Sequence, residues 1–354
     1  MTASRIIYKT EDANLFWHYW ERYVAEHHSS PRYLRTTIEY YLAILRGAGN
    51  LDSDKSFLYV VNNEPVACVF LPIIRQGEDL VIAMDGDYVF APLCHDVNVQ
   101  KKIFALIDDI ARSCNLAKIC FSIDPLENNE RHFNFLQAYN YLDVSILTYM
   151  VDLSQGKNVE ELLQKCHSRY KRSVKKILSD KRFQTFIVDA DHLSRPLFDN
   201  YVALHHKCAG RITRVQESFD IQFEKIKNGH AVLIGLKYED KPIAYYYFVY
   251  SADKAFAFSS ADDPEYDALP LYHILFYRQM EYLKNLGINY IDTEQPANPS
   301  QQFDCYPEDK QLNTSFFKQG LVGSFVNQSR GIKYFSQKVF DADMEIFEKN
   351  YKIL

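Results

Sequence analysis

The sequence predicts an α+β chain in which one pattern is used twice: helices, an antiparallel meander of three strands, another helix, and a further strand. Each copy is expected to form a mixed, mainly antiparallel sheet flanked by helices. Three observations support this. Short runs rich in β-branched and aromatic residues, bounded by polar turns, come in threes in each half. Each triplet is followed by a stretch with apolar residues at helical spacing and then by a short apolar run. Pro65-Val66-Ala67 and Pro242-Ile243-Ala244 occupy the same point, just after the first turn of each meander. The repeat lies in the pattern and hardly in residue identity.

In the first half, residues 13–26 and 34–45 read as opening helices. Residues 57–61 (FLYVV), 65–74 (PVACVFLPII) and 80–85 (LVIAMD) read as the meander, separated by Asn62-Asn63-Glu64 and the RQGED turn. Ile103, Leu106, Ile107 and Ile110 place a helix over 97–112. Residues 117–123 read as a strand, 130–139 as helical and 144–153 as a closing strand. Gly and polar residues interrupt the pattern at 153–159, which sets the expected domains at residues 1–153 and 154–354. The second half repeats the order, with helices over 160–178 and 194–208 and strands over 230–238, 242–250 and 255–260. A helix over 271–286, a strand within 287–296 and a closing helix over 335–351 follow.

Composition excludes several classes. At 354 residues and 41.4 kDa, about two domains are expected at ~150 residues each. A net charge of −6 argues against a surface built for DNA, while leaving room for a local basic patch. Aromatic residues make up 15% and Gly and Pro are 12 each, which points to packed cores and not to disorder. The longest apolar run, about 65–74, is too short to span a bilayer, and the N-terminal stretch carries no apolar signal core. The seven cysteines are scattered without a C-x-x-C pair. They read as reduced thiols in a cytoplasmic protein, with no metal expected. Nucleophile elbows, Walker loops, H-E-x-x-H and dinucleotide-binding glycines are absent from the sequence.

Residues 165–182 carry eight Lys/Arg against one Asp. On a helix, Arg169, Arg172 and Lys176 share one face and Tyr170, Val174 and Ile177 another. The basic face suits a phosphorylated ligand: a nucleotide diphosphate, a lipid phosphate or a tRNA backbone. A solvated charged face is the bland alternative. Asp292 and Glu294, at i and i+2 on a strand, are expected on one side of it. They and His273 are the candidates to take a proton. The adjacent pairs His27-His28 and His205-His206 lie on expected helices, with rings pointing apart.

Together these segments resemble the GNAT (acyl-CoA N-acyltransferase) fold in tandem, in the Fem-like branch that includes FemA, FemB and FemX. CHSRYKRSVKKI resembles that family's basic helix, GLKYEDKPIAYYYFVY its strand pair and ALPLYHILFYRQMEYLKNLGINYIDTEQ its helix-strand segment. FFKQGLVGSF resembles its FK-x-g-f-g loop. The first half matches through Trp17, the 88–92 stretch and the VDL exit strand. The resemblance implies an acyl or aminoacyl transferase that N-acylates an amine on a cell-envelope precursor or nucleotide-linked sugar by direct transfer. It places the active site in the second domain. Lys318 would stabilise charge developing on the carbonyl oxygen, and Phe317 lies beside it in the same motif. Arg169 or Arg172 would contact acceptor phosphates. No tightly bound cofactor is implied, and the donor is either acyl-CoA or aminoacyl-tRNA. The chain lacks the long helical-hairpin insertion of some Fem enzymes. Its counterpart of the GNAT phosphate loop, SSADDPEYDALPLYH, has no glycine and four acids, which makes a poor pyrophosphate cradle. The rival reading is a catalytically silent protein of the same fold that holds a phosphorylated ligand or partner.

Overall fold

The structure, a computed structural model, describes residues 4–84, 88–127, 133–294 and 303–350. The chain divides into two compact units: Met1–Leu147 with Pro299–Glu308 and Asn327–Leu354, and Thr148–Asn298 with Asp309–Val326.

The first unit opens with β1 (Ser4–Tyr8), α1 (Ala13–Glu26) and α2 (Arg35–Gly47). Asp12 caps α1 by accepting from the Leu15 amide at 3.0 Å. Phe16, Trp20 and Tyr23, three or four residues apart, bury one face of that helix. Next come β2 (Leu51–Asp54), β3 (Phe57–Val61), β4 (Glu64–Val69), β5 (Pro72–Gln76) and β6 (Asp79–Ile82). The single strand expected over 65–74 is thus two strands in two sheets. β4 pairs with β3, which pairs with β1, whereas β5 pairs with β2 and β6. The break falls just before Pro72, which has no N–H to continue a ladder. β7 (Val89–Phe90), α3 (Val97–Ser113) and β8 (Lys118–Ser122) follow, with Asp96 capping α3. Of the helix expected over 130–139, Phe135–Tyr139 forms a single 3₁₀ segment and 130–132 lie outside the described residues; β9 (Leu142–Asp143) comes next.

β10 (Ile146–Asp152) leads into the second unit. The helix expected over 160–178 is two, α4 (Val159–Lys165) and α5 (Ser168–Ser179). Cys166 between them is extended, and the His167 amide donates to the Gly320 carbonyl at 2.9 Å. The unit continues through β11 (Phe183–Val188), α6 (Arg195–Ala209), α7 (Gln216–Lys227), β12 (Ala231–Tyr238), β13 (Lys241–Ser251) and β14 (Lys254–Asp262). It closes with α8 (Leu271–Asn285), β15 (Tyr290–Asp292), α9 (Asp309–Gln319) and β16 (Gly323–Gln328). Its sheet has the order β11-β12-β13-β14-β15-β10-β16. Along β13 the side chains alternate between faces. Tyr246 and Phe248 meet Phe276 of α8, while Tyr245 and Tyr247 meet Tyr201 of α6.

The chain then returns to the first unit, so a single cut at residue 153 does not divide it. β17 (Arg330–Tyr334) lies antiparallel between β8 and β9, and α10 (Gln337–Asn350) packs beside it. Ile332 and Val339 are buried with Leu45, Ile74, Val81 and Cys120, and Lys118 pairs with Asp343 at 2.7 Å. Truncation before residue 327 is therefore expected to unfold the first unit, read as loss of amide-exchange protection in β8. A Cβ on Gly323 would lie 2.1 Å from the Met150 carbonyl oxygen of β10. Gly323→Ala should cost about 1–3 kcal/mol in denaturant melts.

Candidate functional site

β14 and β15 run parallel but pair over only three residues, Lys254 to Phe256 against Tyr290 to Asp292. β15 ends there, whereas β14 continues to Asp262. A bulge opposite Tyr247/Phe248 turns both Phe258 and Ser259 toward α6 and α7. Phe258 and Ser259 are half-buried and Ser260 is exposed, although Ala257 and Ala261 on either side are buried. Exposure in the middle of an interior strand marks an open cleft. In the first unit the matching edge is occupied. β6 pairs in parallel with the start of β8, and β7 pairs with its end, Val89 against Phe121 and Phe90 against Ser122.

The second unit's cleft is bordered by expected site residues. Lys318, in the last turn of α9, is buried, and its ammonium donates to the Thr293 carbonyl just past β15. Burial pulls its pKa down to about 8, against the charges of Glu294 and Asp292. Asp292 is fully buried and accepts from the Thr148 hydroxyl at 2.9 Å and the Glu294 amide at 3.0 Å. Asp292 and Glu294 do not share a strand face, because β15 stops at Asp292. Glu294 turns into the left-handed region, φ 55°, and its side chain is exposed. Asp292 thereby holds the Glu294 amide, and Glu294 is the carboxylate that solvent reaches.

His273, Phe317 and the basic helix form a second group. The Tyr170 hydroxyl donates to the His273 carbonyl at 2.8 Å, and the His273 ring packs edge-on against Phe317 at 4.9 Å. Burial and, further, the Arg169 charge push the His273 imidazole down to about 4, so it is neutral at pH 7. Its Nδ1 is buried with no hydrogen-bond partner among the described residues. As expected, Tyr170, Val174 and Ile177 are buried. Arg169, Arg172 and Lys176 are exposed and, among the described residues, form no ion pair.

The acidic loop is tied down by its own neighbours. Asp263 is buried and pairs with Lys207 at 2.6 Å and Lys241 at 3.0 Å; Glu265 pairs with the same two lysines. Asp262 accepts from the Tyr272 hydroxyl at 2.6 Å. The Leu271 amide at the start of α8 already donates to the Leu269 carbonyl, and that of His273 to Pro270. Among the described residues no group of three His, Cys, Asp or Glu is placed to hold a metal, and no helix is long and apolar enough to cross a membrane.

This arrangement has known counterparts. Residues 164–297 match the family described as acetyltransferase (GNAT) domain. The crystal structure of FemX aligns with 96% of this chain and 99% of its own, with a TM-score of 0.65 at 12% identity. The fold is that of tandem GNAT proteins. L-PGS from Bacillus licheniformis also aligns, over 89% of this chain and 96% of its own (TM-score 0.53, 12% identity). So does a tandem GNAT protein from the clavulanic acid biosynthesis pathway, over 94% and 98% (TM-score 0.52, 12% identity). At these identities the likeness is one of fold. No curated protein matches by sequence. The Fem-like tandem GNAT resemblance read from the sequence is supported.

The cleft has a further wall that sequence reading missed. On the α6–α7 side, the Arg214 guanidinium lies over the Phe219 ring at 4.4 Å and donates to the Ser259 hydroxyl at 3.2 Å and to His205 Nε2 at 3.1 Å. Lys225 is fully buried with its ammonium 4.8 Å from the centre of the Phe258 ring. Burial pulls Lys225 down to about 7, the Arg214 charge acts the same way and Glu294 opposes both. The signal was in the sequence: Phe219, Gln222 and Ile226 recur at helical spacing, and Lys225 falls on the same buried face of α7. With a folded pKa below the unfolded 10.5, the unfolded chain binds more protons between pH 7 and 10, so this group's contribution to stability rises with pH across that window. Lys225→Met should therefore be more stable than the parent at pH 7, with the difference shrinking toward pH 10 in denaturant titrations.

Proposed function

We propose that the protein is an acyl or aminoacyl transferase whose second GNAT domain N-acylates an amine on a cell-envelope precursor or nucleotide-linked sugar. Transfer is direct. The amine lone pair forms the C–N bond, the ester or thioester bond breaks with its electron pair going to the leaving group, and the amine's proton leaves to Glu294 or water. The observation that carries this reading is Lys318. It is a buried ammonium with a pKa near 8, still mostly charged at pH 7, anchored at the Thr293 carbonyl where the β14–β15 pairing ends. A fixed cation in a desolvated cleft lowers the cost of negative charge developing on the carbonyl oxygen. Asp292 sets the backbone turn that presents Glu294. His273 and Phe317 wall the site, and Arg169, Arg172 and Lys176 supply an exposed cationic face for substrate phosphates.

The donor is acyl-CoA or aminoacyl-tRNA. The loop at Asp262–Asp267 favours the second, because its carboxylates are held in place and its backbone offers no glycine cradle for a diphosphate. The same loop favours the second reading, a catalytically silent protein of this fold that binds a phosphorylated ligand.

Calorimetry with acetyl-CoA and with charged tRNA, followed by turnover with whichever binds, separates these readings. Lys318→Met should cut kcat about 100-fold or more with donor affinity retained. Arg169→Gln with Arg172→Gln should raise KM for a phosphorylated acceptor about tenfold with little change in kcat. Tight ligand binding without turnover of any donor would establish the silent reading instead.

A further inference from the structure

Helix α5 has two ends in different surroundings. Its start is fastened at the cleft: the His167 amide donates to the Gly320 carbonyl, the Tyr170 hydroxyl to the His273 carbonyl, and the Arg169 charge acts on the His273 imidazole. Its end lies elsewhere. The chain leaving α5 meets the β12–β13 turn, where the Glu239 amide donates to the Arg182 carbonyl and the Arg182 guanidinium lies over the Tyr238 ring at 4.9 Å. Leu178 is about 13 Å along the helix axis from Arg169, at 1.5 Å per residue.

This far end carries charge that the fold does not match. Arg172, Lys175, Lys176 and Lys181 are exposed and, among the described residues, none of them forms an ion pair. Asp180 is taken by Arg182 at 2.7 Å, which leaves Glu239 and Asp240 of the turn against four cations. Leu178 sits among those cations and is 47% exposed; three residues from Lys175, it is its neighbour on the helix surface. Tyr170, Val174 and Ile177 already supply the face of α5 that packs in the core, so Leu178 is apolar surface beyond what the fold uses.

We propose that this end of α5 docks on an anionic lipid surface, with Leu178 entering the acyl-chain boundary and Arg172, Lys175, Lys176 and Lys181 among the phosphates. Lysines are point charges on flexible stems, which a fluid layer of headgroups satisfies without a fixed geometry. An apolar side chain within a cationic face suits the bilayer boundary. A polynucleotide is the other polyanion that this charge could attract. It has no use for Leu178, and residues 168–182 offer it no ring on which a base could stack, since their one aromatic, Tyr170, is buried. The docking stands without the transferase reading. Joined to it, the start of α5 meets substrate while its end holds the bilayer.

The test sediments the full chain with phosphatidylcholine vesicles, with and without about a third phosphatidylglycerol. The protein should sediment with the anionic vesicles alone, and binding should fall steeply as salt rises from about 0.1 to about 0.5 M. Lys175→Gln with Lys181→Gln, at two residues that the transfer scheme does not use, should lower the partition coefficient at least about tenfold, at roughly fivefold per charge. Trp17 and Trp20, the two native tryptophans, are buried in the first unit, so the indole introduced by Leu178→Trp reports separately. Its emission should shift to the blue on anionic vesicles only. Both variants alter exposed side chains, and a thermal midpoint matching the parent's confirms that each is folded. No sedimentation with anionic vesicles, sedimentation unchanged in the double variant, or emission that stays fixed would each overturn the docking. Binding to bulk tRNA without binding to anionic vesicles would overturn it in favour of nucleic acid. Failure to turn over any donor would overturn the transferase reading alone.

Discussion

The second unit is organised around a sheet that stops pairing partway. β14 and β15 share three residue pairs and then part, and the backbone beyond needs other partners for its polar groups. One partner comes from α9, whose Lys318 side chain reaches the first carbonyl past β15. Another is Thr293's own link to β10, through its amide and hydroxyl to the Tyr149 carbonyl. Glu294 follows in a left-handed conformation, which costs a non-glycine residue on the order of 1 kcal/mol or more and persists only where the surroundings hold it. The Asp292 carboxylate does so by accepting the Glu294 amide. Cleft, cation and exposed carboxylate thus follow from one interruption in a ladder.

Charge is sorted along the same lines. The chain is acidic in sum, yet its cations sit in particular places: on the exposed face of α5, beside Asp263, and in the walls of the cleft. The acidic loop that looks hostile to a diphosphate in sequence is, in the fold, half neutralised by Lys207 and Lys241. What it withholds from a ligand is backbone, since Pro270 caps α8 and the Leu271 and His273 amides are already bonded.

Much of this was legible in the sequence, for identifiable reasons. The second unit's meander, the strand segments of the first, and α3, α6 and α8 announce themselves through alternation or helical spacing, and the amphipathic split of α5 predicted which of its residues are buried. Less legible was anything decided by partners far along the chain. That residues 65–74 serve two sheets depends on β1 and β2, both short and weakly patterned. The turn that separates Asp292 from Glu294 depends on where β15 loses its neighbour, and period-two reasoning carries a strand past its true end. Lys318 was found through a motif, yet it lies on a helix and not a loop, and its burial is visible only in the fold. Arg214 and Lys225 come together because α6 and α7 fold over β14, a proximity that no local pattern encodes.

The return of β17 to the first unit bears on the order of events during synthesis. The first unit's larger sheet has an interior position, between β8 and the edge strand β9, that β17, far along the chain, fills. Nearly all of the second unit has left the ribosome before that strand does. The second unit is thus the one whose sheet can be completed first, while β8 of the first unit lacks its β17 neighbour until the last residues emerge. A chain whose two halves look sequential thus has its first sheet closed by one of its last strands.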